Sequence, residues 1–304
     1  MTWFFIAFAA PFLWAVTNIF DQYLVTKYST REHSSGGLVL FSSLIGVVVA
    51  ILISIFTKGI FQIGIFDIML LVLTGGISIA WIILYLFALE LEAVSAVVPW
   101  FLTVPIFGYV LGYFFLDETL TNQQLIGSFI VLIGVFLISI DFSENKTKFK
   151  WKPAFYMLTA SFLIAICGII FKYVTFINNY WISSFWEYVG LGSFGILIFI
   201  FVPKFRNEFL FMNKHGGLKI FAVNSLSESI SIIGNLLSNY AILLAPVSLV
   251  YLVGCFQPAI VLFMTLFATK YFPNIAKENL KRSILFPKII AIIIMIIGSI
   301  FLFI

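Results

Sequence analysis

The sequence predicts an all-α polytopic membrane protein, with ten transmembrane helices arranged as two inverted five-helix repeats. Three observations lead there. The 304 residues are 62% hydrophobic and only 10% charged, with a mean hydropathy of +1.14. A soluble domain carries about 25% charged residues, so this chain could not wet a soluble surface of its size. Apolar runs of roughly 20 residues, the length that crosses a bilayer at about 1.5 Å per residue, follow one another along the whole chain. The order of motifs in the first five runs also recurs in the last five.

The runs cover 3–26, 36–56, 66–89, 94–116 and 122–140, then 153–175, 180–202, 218–243, 247–270 and 286–304. The first reads as a retained span: no Lys or Arg precedes it, and it continues past "AFAAP" through Trp14 and Phe20. The fourth and ninth are interrupted by Pro99, Pro105 and Pro258, each of which removes an amide N–H and frees a carbonyl. Between the fourth and fifth lies "DETLTNQQ". There Thr121 and Gln124 have the spacing of a capping box, and Asp117 and Glu118 are expected at the membrane surface as turn chemistry. The polar stretch "DFSENKTKFKWKP", Asp141 to Pro153, divides the chain. The expected organisation is a first repeat over 1–142, a linker over 143–152 and a more degenerate second repeat over 153–304.

The two halves share residues in register. "FLWAVTNIFDQYLV" from Phe12 aligns with "FLIAICGIIFKYVT" from Phe162. "AVSAVVPWFLTVPIF" from Ala93 aligns with "PVSLVYLVGCFQPAI" from Pro246, and Pro105 falls on Pro258. Five is an odd number, so a second copy must enter the membrane from the opposite side. That is the inverted repeat used by many secondary transporters.

The stretch "AVSAVVPWFLTVPIFGYVLGYFFLDETLTNQQLIGSFIVLIGVFLI" resembles the repeat of the EamA branch of the drug/metabolite transporter superfamily. Ser95, the mid-helix Pro105, Glu118 closing the fourth span, and Gly127 and Gly134 in the fifth carry the resemblance. In the second copy Tyr271 stands where Glu118 would be, and the stretch Pro273 to Pro287 is longer than the first copy's turn. The resemblance implies a ten-helix carrier with a central cavity lined mainly by spans 1, 3, 4, 6, 8 and 9. It implies a bacterial plasma (inner) membrane location and export, and it leaves the solute open.

Other classes are disfavoured by the residues themselves. The +4 charge comes from short loops between apolar runs, so no nucleic acid is expected. Cys167 and Cys255 lie in apolar runs with no paired spacing, and His33 and His215 lie in predicted loops. A metal centre, a cofactor and a His-based catalytic triad are therefore not expected, and the protein is not read as an enzyme. The basic residues fall in loops after odd-numbered spans, apart from Lys58 and the intraspan Lys172. By the positive-inside rule both termini lie outside; the family resemblance implies the reverse.

Polar side chains inside spans mark the candidate site. A charge at the bilayer centre costs at least about 2.5–3.5 kcal/mol, so it usually faces a cavity or a partner. In span 8, Asn224, Glu228, Ser231, Asn235 and Asn239 fall on one helical face. The asparagines serve either a cavity or interhelical hydrogen bonding. Glu187 in span 7 reads as a proton carrier or as an interfacial carboxylate among Trp186 and Tyr188. Span 1 offers Trp14, Asn18 and Asp21, with Gln22 adjacent; span 3 offers Trp81 and Tyr85; span 9 offers Gln257 beside its proline. Lys172 in span 6 either snorkels to the headgroups or pairs with a cavity carboxylate.

These features predict a secondary active transporter of a small organic solute such as an amino acid, an amine or a related metabolite, by alternating access. No GxxxxGK[ST] motif is present to bind a nucleotide. Glu187 and Glu228 suit proton coupling. One intraspan lysine against several carboxylates disfavours a polyphosphorylated solute. The expected partners are the solute, the lipid bilayer and a coupling proton, with a homodimer left open. A flippase for a lipid-linked polar headgroup is the alternative, and an intramembrane enzyme or non-transporting scaffold a remote one.

Overall fold

A computed structural model describes residues 2–28, 35–92, 94–139, 151–271 and 282–301. Most of the expected linker (143–150), His33 and most of the long second-copy turn (273–281) lie outside the described residues. Every element among the described residues is helical. Among the described residues, seven helices are long and apolar enough to cross a membrane. Shorter apolar helices cover Trp100–Leu116, Asn122–Gly134 and Ile289–Ile300.

The helices follow the hydropathy closely. They are α1 (Thr2–Tyr28), α2 (Gly36–Phe56) and α3 (Ile65–Leu91), then α4 (Val94–Val97), a 3-10 turn (Val98–Thr103) and α5 (Val104–Leu116), then α6 (Asn122–Ser139). The rest are α7 (Trp151–Thr175), α8 (Tyr180–Phe201), α9 (Pro203–Leu244), α10 (Val247–Gly254), α11 (Gln257–Tyr271) and α12 (Arg282–Ile300). The run over 94–116 is therefore three pieces. Pro99 opens the 3-10 turn and Pro105 opens α5, and neither can donate the amide a continuous helix needs. The run over 247–270 breaks at Cys255 and Phe256, and α11 then opens with Gln257 and Pro258.

Two local expectations meet different outcomes. The Thr121–Gln124 box forms in both directions: the Thr121 amide donates to Gln124 Oε1 at 3.0 Å and the Gln124 amide to Thr121 Oγ1 at 3.2 Å. The stretch from Pro203, expected as a basic loop that includes His215, is instead the first arm of α9. Phe205, Phe209 and Met212 give that arm an apolar face against the core, and Phe209 meets Phe41 of α2. Gly217, at φ +60°, breaks α9 before its long second arm.

Helix α8 lies between α2 and α3, α7 packs on α3 and α5, α9 on α1 and α2, and α6 on α12. Glycines make the tightest crossings. A side chain at Gly75 would run into the backbone of Glu187, Gly190 and Leu191, and one at Gly190 into that of Val72. Gly75→Leu should force α3 and α8 apart. Overpacking of this kind costs about 1–3 kcal/mol, so the purified variant should unfold at a lower temperature. An unchanged unfolding temperature would mean that the two backbones are not this close.

Candidate functional site

A cavity of about 210 Å³ opens at the centre of the bundle, lined by α1, α3, α5, α7, α8, α9, α10 and α11 and the residues flanking their breaks. Span 1 contributes Trp14, Thr17, Asn18 and Asp21 to its wall. Trp14 donates its indole N–H to Asn235 Oδ1 at 2.9 Å. Tyr85 donates its hydroxyl to Asn18 Oδ1 at 2.9 Å and to Asp21 Oδ2 at 3.2 Å, and Ser227 reaches Asp21 Oδ1 at 3.5 Å. Glu187 enters from α8, where Asn239 Nδ2 donates to its Oε2 at 2.9 Å. Trp81 and Gln257 also line the space. The groups around the two carboxylates are neutral donors, and no basic side chain lines the cavity among the described residues.

The polar stripe of α9 does not all face this space. Ser231, Asn235 and Asn239 line the cavity. Glu228 and Asn224 do not. Glu228 accepts a hydrogen bond from Ser42 of α2, and Asn224 is buried with its amide against Met212 Sδ at 3.8 Å. The cause is the neighbour: toward its start the long arm of α9 turns this face to α2 and to its own first arm. Glu228's chain neighbour Ser227 is the residue that reaches Asp21, at 3.5 Å.

Several lining residues carried no clear signal in the sequence. Tyr188, Tyr251 and Phe101 complete an aromatic wall with Trp14, Trp81 and Tyr85, in a chain where aromatics are too common to stand out. Cys167, expected as a small buried hydrophobe, also borders the cavity, with its thiol on the Thr74 carbonyl at 3.6 Å. Among the described residues no group of three His, Cys, Asp or Glu side chains could hold a metal ion.

With this geometry in place, residues 1–140 match the model of the EamA-like transporter family. The first half of this chain is EamA-like. One solved crystal structure is similar over 99% of this chain and 96% of its own, with a TM-score of 0.66 at 13% identity, a likeness of fold. No curated protein matches. Together with its apolar helices, the family match makes the chain an integral, multi-pass membrane protein.

Glu118 is not the surface charge the sequence suggests. Asp117 takes the left-handed conformation (φ 51°) that ends α5, and the Glu118 amide donates back to the Gly112 carbonyl at 3.1 Å. That reversal turns the Glu118 side chain inward, where it meets Lys172 at 2.5 Å with both side chains nearly buried (11% and 6% exposed). Lys172 also donates to the Ala245 carbonyl at 2.7 Å, and Glu118 accepts from the Val247 amide at 2.8 Å. Lys172 therefore neither snorkels nor lines the cavity. It is neutralised outside it, and the pair ties α5 to α7 and to the α9–α10 junction.

Removing one partner of a buried pair costs about 3–5 kcal/mol because a charge is left uncompensated. Lys172→Met should lower the unfolding temperature of the purified protein, and the double variant Lys172→Met, Glu118→Gln should recover most of the loss. Equal losses in the single and double variants would show that the two side chains do not act as a pair.

Proposed function

We propose that this protein is a secondary active transporter that moves a small organic solute, an amino acid, amine or related metabolite, outward by alternating access coupled to protons. The observation that carries this reading is the cavity itself. Carboxylates from α1 and α8 face it, neutral groups hold them, and the buried in-span Lys172 is paired with Glu118 instead. Charge in a low-dielectric cavity has to be balanced, either by protons or by the solute. A polyphosphorylated solute would meet repulsion there and no basic side chain to bind it.

The proposed frame is ten crossings in two inverted repeats, 1–142 and 153–304, in a bacterial plasma (inner) membrane. Its support is in the packing. Moving five spans along the chain turns the α3–α7 contact into α9–α1, the α3–α8 contact into α9–α2, and the α5–α7 contact into α11–α1. The α2–α8 and α6–α12 contacts map onto themselves. The breaks before α5 and α11 border the cavity, which is where discontinuous helices serve a moving carrier. In this reading Glu187 exchanges protons with the cavity, and Glu228 exchanges them with Asp21 behind its wall.

The test is proton movement in proteoliposomes, reported by a trapped pH dye, across a panel of amino acids and amines. At least one solute should drive a proton flux in the wild-type protein. Glu187→Gln and Glu228→Gln should each reduce that flux at least about tenfold, as expected when a charge-assisted contact is lost. Unchanged flux in Glu228→Gln would remove Glu228 from the relay, and solute movement without protons in the wild type would end the coupling reading.

A further inference from the structure

Helix α9 works as a ruler for the cavity. Ser227 reaches Asp21, Asn235 holds Trp14 and Asn239 holds Glu187. Ser227 and Asn239 are twelve residues apart, about 18 Å along a helix. The two carboxylates therefore face one cavity from two depths rather than sharing one spot. Between those depths the wall is aromatic, with Trp14, Trp81 and Tyr251.

Two charges in one low-dielectric space, with no lining cation among the described residues, leave two positive charges to be supplied. The wall beside Asp21 is also incomplete by itself. Asn18 Nδ2 is buried without a partner, although Asn18 is only 5% exposed. If the Asn18 amide turns over, its N–H can donate to the Tyr85 hydroxyl, which still donates to Asp21. Asn18 and the Asp21 carboxylate line the cavity side by side, and the carboxylate is the seat for an ammonium group. Glu187 supplies the second seat, with Asn239 fixing its other oxygen. Aromatic faces between the seats suit a polymethylene chain and attract its cationic ends.

We infer that the solute is a linear diammonium compound, an α,ω-diamine or polyamine, held with one cationic end at Asp21 and Asn18 and the other at Glu187. The inference rests on the transporter reading above and narrows its solute. Neither a monoamine nor a zwitterionic amino acid fills both seats.

The experiment is calorimetric binding to the purified wild-type protein, using α,ω-diamines from four to twelve carbons and the monoamine of each length. Glycine, leucine and phenylalanine serve as zwitterions. Affinity should pass through an optimum among the longer diamines, and at that length the diamine should bind at least about tenfold more tightly than its monoamine. Glu187→Gln and Asp21→Asn should each erase that difference while leaving monoamine binding at the other seat. Three results would overturn the inference: equal binding of diamine and monoamine at every length, no length optimum, or tighter binding of an amino acid, whose carboxylate the Asn18 amide could meet. Proton-coupled movement of amino acids or monoamines in proteoliposomes alongside any of these would leave the transporter reading intact. The wild-type series decides the matter even if a variant fails to fold.

Discussion

Inside a bilayer a backbone amide or a carboxylate has no water to turn to, so each must find its partner within the protein. The architecture follows from that restriction. The chain is helical because helices satisfy their own backbone. Where Pro99, Pro105 and Pro258 deny a helix its amide, the broken backbone is kept at the cavity rather than against lipid. Lys172 is tolerated because Glu118 and the Ala245 carbonyl meet it. Asp21 and Glu187 are tolerated because Tyr85, Ser227 and Asn239 donate to them.

The same restriction separates two kinds of buried charge. The Glu118–Lys172 pair is neutral and tied to the backbone on both sides, which suits a structural joint between the halves of the bundle. Gln22 joins α1 to the start of α4 by accepting from the Val94 amide at 2.6 Å, without a charge of its own. Among the described residues the cavity carboxylates have no such counter-ion. They remain available to a proton or a cationic solute, and this difference underlies the functional reading.

Hydropathy made the helices legible, because a span needs a long apolar run whatever its neighbours are. The runs at 36–56 and 122–140 match α2 and α6 to within a residue. The first arm of α9 escaped that reading because Lys204, Arg206 and Lys214 mask an apolar face on Phe205, Phe209 and Met212. For the site, helical periodicity grouped the polar residues of α9 on one face. It could not say that Ser42 would take Glu228 away from the cavity, since that depends on a helix packed from far along the chain. Glu118 was misplaced for a related reason. Its direction depends on the backbone turn at Asp117, and its partner lies in the other half.

The central claim is that an acidic, water-reachable cavity lies between the two halves. It can be tested by placing a single cysteine at Ser231, which lines that cavity, after Cys167 and Cys255 are replaced by alanine. The rate of labelling by positively and negatively charged methanethiosulfonate reagents is then compared in membranes. The account predicts that the cationic reagent labels Ser231→Cys faster, and that Leu226→Cys, on the exposed surface of α9, stays unlabelled. No labelling at 231, or faster labelling by the anionic reagent, would contradict it.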